Sequence, residues 1–227
     1  MKESYQKLVK HLMRTPISPL DAETLYKMVE SRVTPEEADF LAKIPFRRLT
    51  PSEISQKTDI PVEELIKKLD ELALKGVIYR IKGDVPSESR YALADLMFGW
   101  YRMPWWSGKK DDYHRDLAPI ANEYYINQLA KETTGYPTQF LRSVPINQTV
   151  EDPRTILPYE DIVKLIDSFE YLSVAHCSCR HRHNIDPVFE ESEYPLHVCL
   201  HFDDLGRYTV DIGVGKEITK EETLEIL

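Results

Sequence analysis

Residues 49–81, LTPSEISQKTDIPVEELIKKLDELALKGVIYRI, set the architecture of the first half of the chain. Thr50-Pro51-Ser52-Glu53 puts a hydroxyl before a proline and a carboxylate three positions after the hydroxyl. That is a capping box, in which each side chain satisfies one orphan amide at a helix start. It predicts a short helix through about Lys57, broken by Asp59-Ile60-Pro61. A longer helix is predicted from Pro61 to Lys75, with Val62, Leu65, Leu69, Leu72 and Leu74 facing inward and Gly76 as its C-cap. Val77-Ile78-Tyr79-Arg80-Ile81 alternates toward a strand, Lys82-Gly83-Asp84 turns, and Arg90-Tyr91-Ala92-Leu93 returns as a second strand. Upstream, Thr34 and Glu37 repeat the capping box ahead of Phe40, Leu41 and Ile44.

Helix, short helix, turn, longer helix and two-stranded wing: this order resembles a winged helix-turn-helix, which in some proteins reads DNA and in others docks a partner. The third helix presents Glu63, Glu64, Lys67, Lys68, Asp70 and Glu71, whose charges nearly cancel. A helix that lies in a major groove is normally basic. The whole chain carries −9; residues 1–100 hold 16 Lys+Arg and 16 Asp+Glu, and the remainder 13 against 22. An acidic second half repels a phosphate backbone. DNA binding by this chain alone is therefore not expected, and a docking role is favoured.

The expected class is α+β, with a winged-helix domain and N-terminal helices in residues 1–95. An aromatic-rich connector and helix follow in 96–150, and a Cys/His domain in 151–227. In the connector, Phe98, Trp100, Tyr101, Trp105 and Trp106 gather around Pro104 and read as a hydrophobic plug. Asp116 to Glu132 reads as an amphipathic helix carrying Leu117, Ile120, Tyr124 and Leu129, and Arg142–Ile146 as extended chain. A further helix is expected from Pro158 to Phe169, then a strand from Tyr171 to Ala175 that delivers the chain to Cys177. Of the 227 residues 42% are hydrophobic and 30% charged, which suits a packed fold. No run approaches the roughly 18 apolar residues of a membrane span. The start lacks a signal-peptide pattern, so a cytoplasmic location is expected. The chain holds no Gly-rich phosphate loop, no HExxH and no GxSxG, and an enzyme is the weakest expectation.

All three cysteines, and five of the seven histidines, lie in residues 174–202, VAHCSCRHRHNIDPVFEESEYPLHVCLHF. An odd cysteine count without a secretion signal argues against a disulfide framework. Thiolates are the preferred ligands of zinc and of iron–sulfur clusters. Cys177-x-Cys179 on extended chain would put both thiols on one face, and Cys199-x-His201 repeats that parity. Cys177, Cys179 and Cys199 are thus expected to converge on a zinc ion or an iron–sulfur cluster. His201 is the first choice for a further donor and His183 the second. His176 and His197 are expected to point the other way, and His181 and His183, beside Arg180 and Arg182, to sit in a polar loop.

CSCR after an apolar strand, then YPLHVCLHF and GRYTVDIGVGKEITKEETLEIL, resembles a bacterial and archaeal family of ferredoxin-like 4Fe-4S proteins with an N-terminal winged helix. The resemblance extends to RSVPIN and to ILPYEDIVKLIDSFEYLSVAHCSCR, and covers most of the chain. It implies a pattern of Cys-x-Cys-Arg, a loop, then Cys-x-x-Pro-x-x-x-Cys-Leu, which Cys177, Cys179, Arg180, Pro195, Cys199 and Leu200 match. Where the family has its third cysteine this chain has Ser192. It also lacks the CxxCxxC motifs with which the family continues. It ends two turns into a helix opened by Thr219 and Glu222, so a short or truncated member is expected. The resemblance implies an electron-transfer or accessory protein of anaerobic redox metabolism, partnered by a redox protein or a separate ferredoxin module. The residues by themselves also admit a metal- or redox-sensing transcription regulator and a zinc-stabilised docking module, and a homodimer is compatible with all three.

Overall fold

The computed structural model describes residues 2–14, 23–130 and 159–227. They form a mixed α+β structure with two small sheets. The first part runs α1 (Glu3–Leu12), α2 (Glu23–Glu30), α3 (Pro35–Leu41), α4 (Pro51–Thr58) and α5 (Val62–Leu74), then β1 (Ile78–Ile81) and β2 (Arg90–Leu93). The caps explain the helix starts. Thr50 accepts from the Glu53 amide, and Glu53 takes the Thr50 amide at 2.8 Å; Thr34 and Glu37 do the same for α3. Asp59, at φ 57°, closes α4.

In α5 the buried residues are Leu65, Leu69, Leu72 and Ala73, while Leu74 is 58% exposed, contrary to the inward role expected of it. Successive helical residues are about 100° apart. The stripe that includes Leu69, Leu72 and Ala73 therefore leaves Leu74 on the outer side. Gly76 follows at φ 71°, where a Cβ would stand 2.2 Å from Met103 Sδ, so both conformation and space call for glycine. β1 and β2 pair antiparallel with Ile78 opposite Leu93, and Leu49 bridges to Tyr91 beside them.

After β2 come a wide turn of π-helical type at Leu96–Arg102, a 3-10 turn at Met103–Ser107, and α6 (Asp112–Tyr124). α6 starts earlier than the apolar pattern indicates because Asp111 caps it, accepting from the His114 amide at 3.1 Å. One hydrophobic core runs from Tyr5 through Leu41, Leu69 and Tyr91 to Trp100, Trp105, Tyr124 and Leu129. Trp100, Tyr101 and Trp105 of the aromatic knot belong to that core, while Trp106 packs in a second cluster with Ala73, Met103, Ala175 and Tyr208.

The last part comprises α7 (Tyr159–Asp167), β3 (Leu172–His176), α8 (Ser178–Ile185), β4 (His197–Phe202), α9 (Asp203–Asp211), β5 (Gly215–Glu217) and α10 (Lys220–Ile226). β3 lies between β4 and β5, antiparallel to both. Leu172 to Ala175 are all buried, so β3 is covered on both faces. Ala175 packs with Tyr208, Met103 and Trp106; Leu172 and Val174 pack with Ile166 and Ile218. Tyr208 of α9 reaches Ala73 O and Ile78 O, each at 2.8 Å. Arg80 joins Asp70 at 2.8 Å and also pairs with Asp211. The expected extended stretch Arg142–Ile146 lies outside the described residues. Among those described, no helix is long and apolar enough to cross a membrane.

Candidate functional site

The strand β3 ends at the cysteines, but its course changes there. Cys177, at φ −63° and ψ 109°, is the N-cap of α8, and Cys179 is the second residue of that helix. The expected extended Cys177-x-Cys179 segment is thus replaced by a helix start. The reason is long-range docking of polar side chains. His181 is fully buried with Nε2 2.9 Å from Lys109 O. Arg182 donates from Nε to Asn122 Oδ1 at 2.5 Å and lies over the rings of Tyr101 and Tyr125. The polar loop expected around His181 and His183 is this helix.

Pairing of β3 with β4 delivers the third cysteine. Cys199 is opposite Ala175, and the Cys177 amide donates to Leu196 O at 2.6 Å. Cys199 Sγ is 3.5 Å from His201 Nε2. His201 is 5% exposed and meets the Trp106 ring at 4.4 Å between centroids. The cysteines are unpaired thiols; Cys179 is exposed, Cys177 and Cys199 half-buried.

The electrostatics separate the thiols. A hydrogen bond from Cys177, assisted by the charges of Arg102 and Arg182, lowers Cys179 to about 5. Cys177, which gives that bond and is partly buried, moves up. Burial raises Cys199, against the opposing pull of the Ser178 amide, Arg102 and Trp106. Burial lowers His201 to about 4, so its imidazole is neutral at pH 7. A thiolate at the first turn of a helix beside two guanidinium groups has the surroundings that favour nucleophiles and metal ligands.

The structure brings Cys177 next to Cys179, and Cys199 next to His201. His183 instead stacks on Phe189 at 4.5 Å. Ser192 is held in a turn, its amide on Asn184 Oδ1 and its hydroxyl accepting from Tyr194 N. His176 and His197 face one another at 4.1 Å across a bulge in the β3–β4 pairing. Among the described residues, no three His, Cys, Asp or Glu side chains are disposed as they stand to hold one metal ion. Several buried nitrogens nearby nevertheless lack partners: His201 Nδ1, His181 Nδ1, His183 Nδ1 and Arg182 Nη1. Buried polar groups are nearly always satisfied, so such a concentration calls for a partner: an acceptor for Arg182 Nη1, and a donor or a metal for His181 Nδ1, whose Nε2 already gives its proton to Lys109 O. Three thiols among neutral imidazoles and a guanidinium suit, in ligand chemistry, a metal–thiolate group or a sulfide-bearing cluster. Sequence reasoning missed Arg102, Trp106 and the inward role of Arg182. They come from distant segments, and only the packing of α8 against the aromatic knot reveals them.

Comparison with family models, curated proteins and solved structures finds no match to this chain.

Proposed function

We propose that Cys177, Cys179 and Cys199 form a thiolate centre for zinc or an iron–sulfur cluster, in an electron-transfer or accessory protein. The observation that carries this reading is the gathering of every cysteine of the chain at one end of the β3–β4 pair and the start of α8, among buried side-chain nitrogens without partners. His201, neutral and 3.5 Å from Cys199, is the first choice for a further donor. Ligation requires side-chain rotation, since the thiols as placed do not form a set; Cys179 is the exposed one of the three. A cluster, when bound, supplies one-electron transfer; zinc supplies a structural cross-link. The helices α3 to α5 with the β1–β2 hairpin are read as a winged-helix unit that docks a redox partner.

Metal analysis and a visible spectrum of anaerobically prepared protein test the proposal. Stoichiometric metal is expected, lost in Cys177→Ala and in Cys199→Ala and kept in His176→Ala. Unsubstituted protein without stoichiometric zinc or iron after anaerobic preparation with both metals supplied would overturn it. One observation favours a second reading, a reactive dithiol: Cys179 is exposed and held toward thiolate beside Cys177. Rapid alkylation of Cys179 ahead of Cys177 and Cys199 in protein that takes up no metal would transfer the assignment to it.

A further inference from the structure

Arg32 sits between α2 and α3, and it is 8% exposed. Its Nη1 donates to Gly99 O at 3.0 Å and to Trp100 O at 2.9 Å; its Nη2 donates to Lys75 O at 2.6 Å. Its charge lies 5.3 Å from the Trp100 ring centroid. Among the described residues no carboxylate lies within ion-pair distance of it. Burial is the largest influence on the guanidinium and works against its charge, and the tyrosine hydroxyls, Tyr113 first among them, only partly oppose this. Arginine does not escape by losing its proton, and a buried cation normally has an anion beside it. Carbonyl dipoles use three of the five guanidinium protons, and the Tyr113 hydroxyl stands beside the rest.

The same guanidinium lines a cavity of about 200 Å³ between the Gly76 turn, the start of α6 and residues 212–214. The other polar residues of its wall include Lys75, Ser107, Lys109, Tyr113 and His114. Lys75 is paired with Glu37, and His114 with Asp111, each at 2.5 Å. Lys109 is exposed and has no ion pair among the described residues. No acidic residue lines the cavity. The wall therefore carries two cations, Arg32 and Lys109, neither of them in an ion pair among the described residues, although Asp111 lies near enough to Lys109 to feel its charge.

We infer that this cavity binds a small oxyanion, the phosphate or carboxylate group of a small molecule. A guanidinium fork matches either group with two parallel hydrogen bonds, while lysine adds a point charge. Phosphate and carboxylate share this chemistry, and the experiment separates them. Thermal unfolding and titration calorimetry of the full chain are run with sodium phosphate and, separately, sodium acetate, each against sodium chloride at equal ionic strength. The expected result is a saturable rise in melting temperature with one of the two oxyanions beyond that in chloride. Lys109→Ala should weaken that affinity about tenfold and leave the melting temperature in chloride unchanged, since the backbone carbonyl that meets His181 is untouched. Arg32→Met should abolish binding. Should Arg32→Met not fold, Lys109→Ala alone decides. No stabilisation by either anion beyond chloride, or stabilisation unaltered in Lys109→Ala, would overturn the inference.

Discussion

Tyr208→Phe removes a single oxygen from the junction between the β1–β2 hairpin and the C-terminal sheet. The hydroxyl is buried and stands 2.8 Å from two carbonyls, Ala73 O and Ile78 O, which share its proton. They do not depend on it equally. Ala73 O also accepts the Gly76 amide at 2.9 Å. Ile78 lies on β1, which has β2 on one side only, and the amide of its register partner Leu93 goes to Pro45 O. Loss of the hydroxyl therefore orphans one buried acceptor, while the ring keeps its contacts with Met103 and Ala175. Leaving a buried acceptor unmade costs about 1–3 kcal/mol, and one carbonyl puts the expected loss near 2 kcal/mol. In a chain of this size that lowers the melting temperature by roughly 4–8 °C. Urea unfolding followed by tryptophan fluorescence is a suitable assay, because Trp100, Trp105 and Trp106 are all buried. The slope with urea should be unchanged and the midpoint lower. A loss below about 0.5 kcal/mol, the level of an ordinary surface substitution, would refute the reasoning.

The capping box of α4 sets a pH dependence. The Thr50 amide and then its hydroxyl hold the Glu53 carboxyl below its usual 4.5, so the unfolded chain binds this proton more readily than the folded one. The contribution is present above the usual glutamate range and lost as pH falls through the folded value. Glu53→Gln should flatten the acid limb of a stability–pH curve, and an unchanged limb would contradict the assignment. On nucleic acid, the expected outcome is no sequence-specific nanomolar binding to duplex DNA at physiological salt, because α5 is nearly neutral; a tight, steeply salt-dependent complex in a fluorescence-anisotropy titration would reverse this.

What could be read from the sequence was local. Thr34 with Glu37, Thr50 with Glu53 and Thr219 with Glu222 all form the reciprocal bonds that their spacing implies, since both partners lie within one turn. Leu65, Leu69 and Leu72 mark α5 because burial of one face imposes the 3.6-residue period. Helix α8 defeats the same logic. SCRHRHNI has no apolar stripe and a cysteine where a cap is normally Ser, Thr, Asp or Asn. Its anchors are Lys109 and Asn122, some sixty to seventy residues away, and sequence periodicity contains no signal for such partners. The pairing of Cys199 with His201 was accessible, because it depends only on strand parity. The arrangement of Cys177 and Cys179 was not, because it depends on the helix.

The unbroken core from Tyr5 to Leu129 restricts how this chain can be dissected. Trp100 Nε1 donates to Ala94 O at 3.1 Å, and Arg32 grips the carbonyls of Gly99 and Trp100. A fragment ended just after the hairpin would therefore keep the receiving side of those contacts and lose what fills it. Leu93, Ala94 and the guanidinium of Arg32 would face water, and the excised piece would present a sticky apolar scar where Trp100, Trp105 and Tyr124 had been. The smallest N-terminal piece that keeps this core whole reaches to about Leu129, and even that piece would uncover Ala73, Met103 and Trp106, which pack against Ala175 and Tyr208.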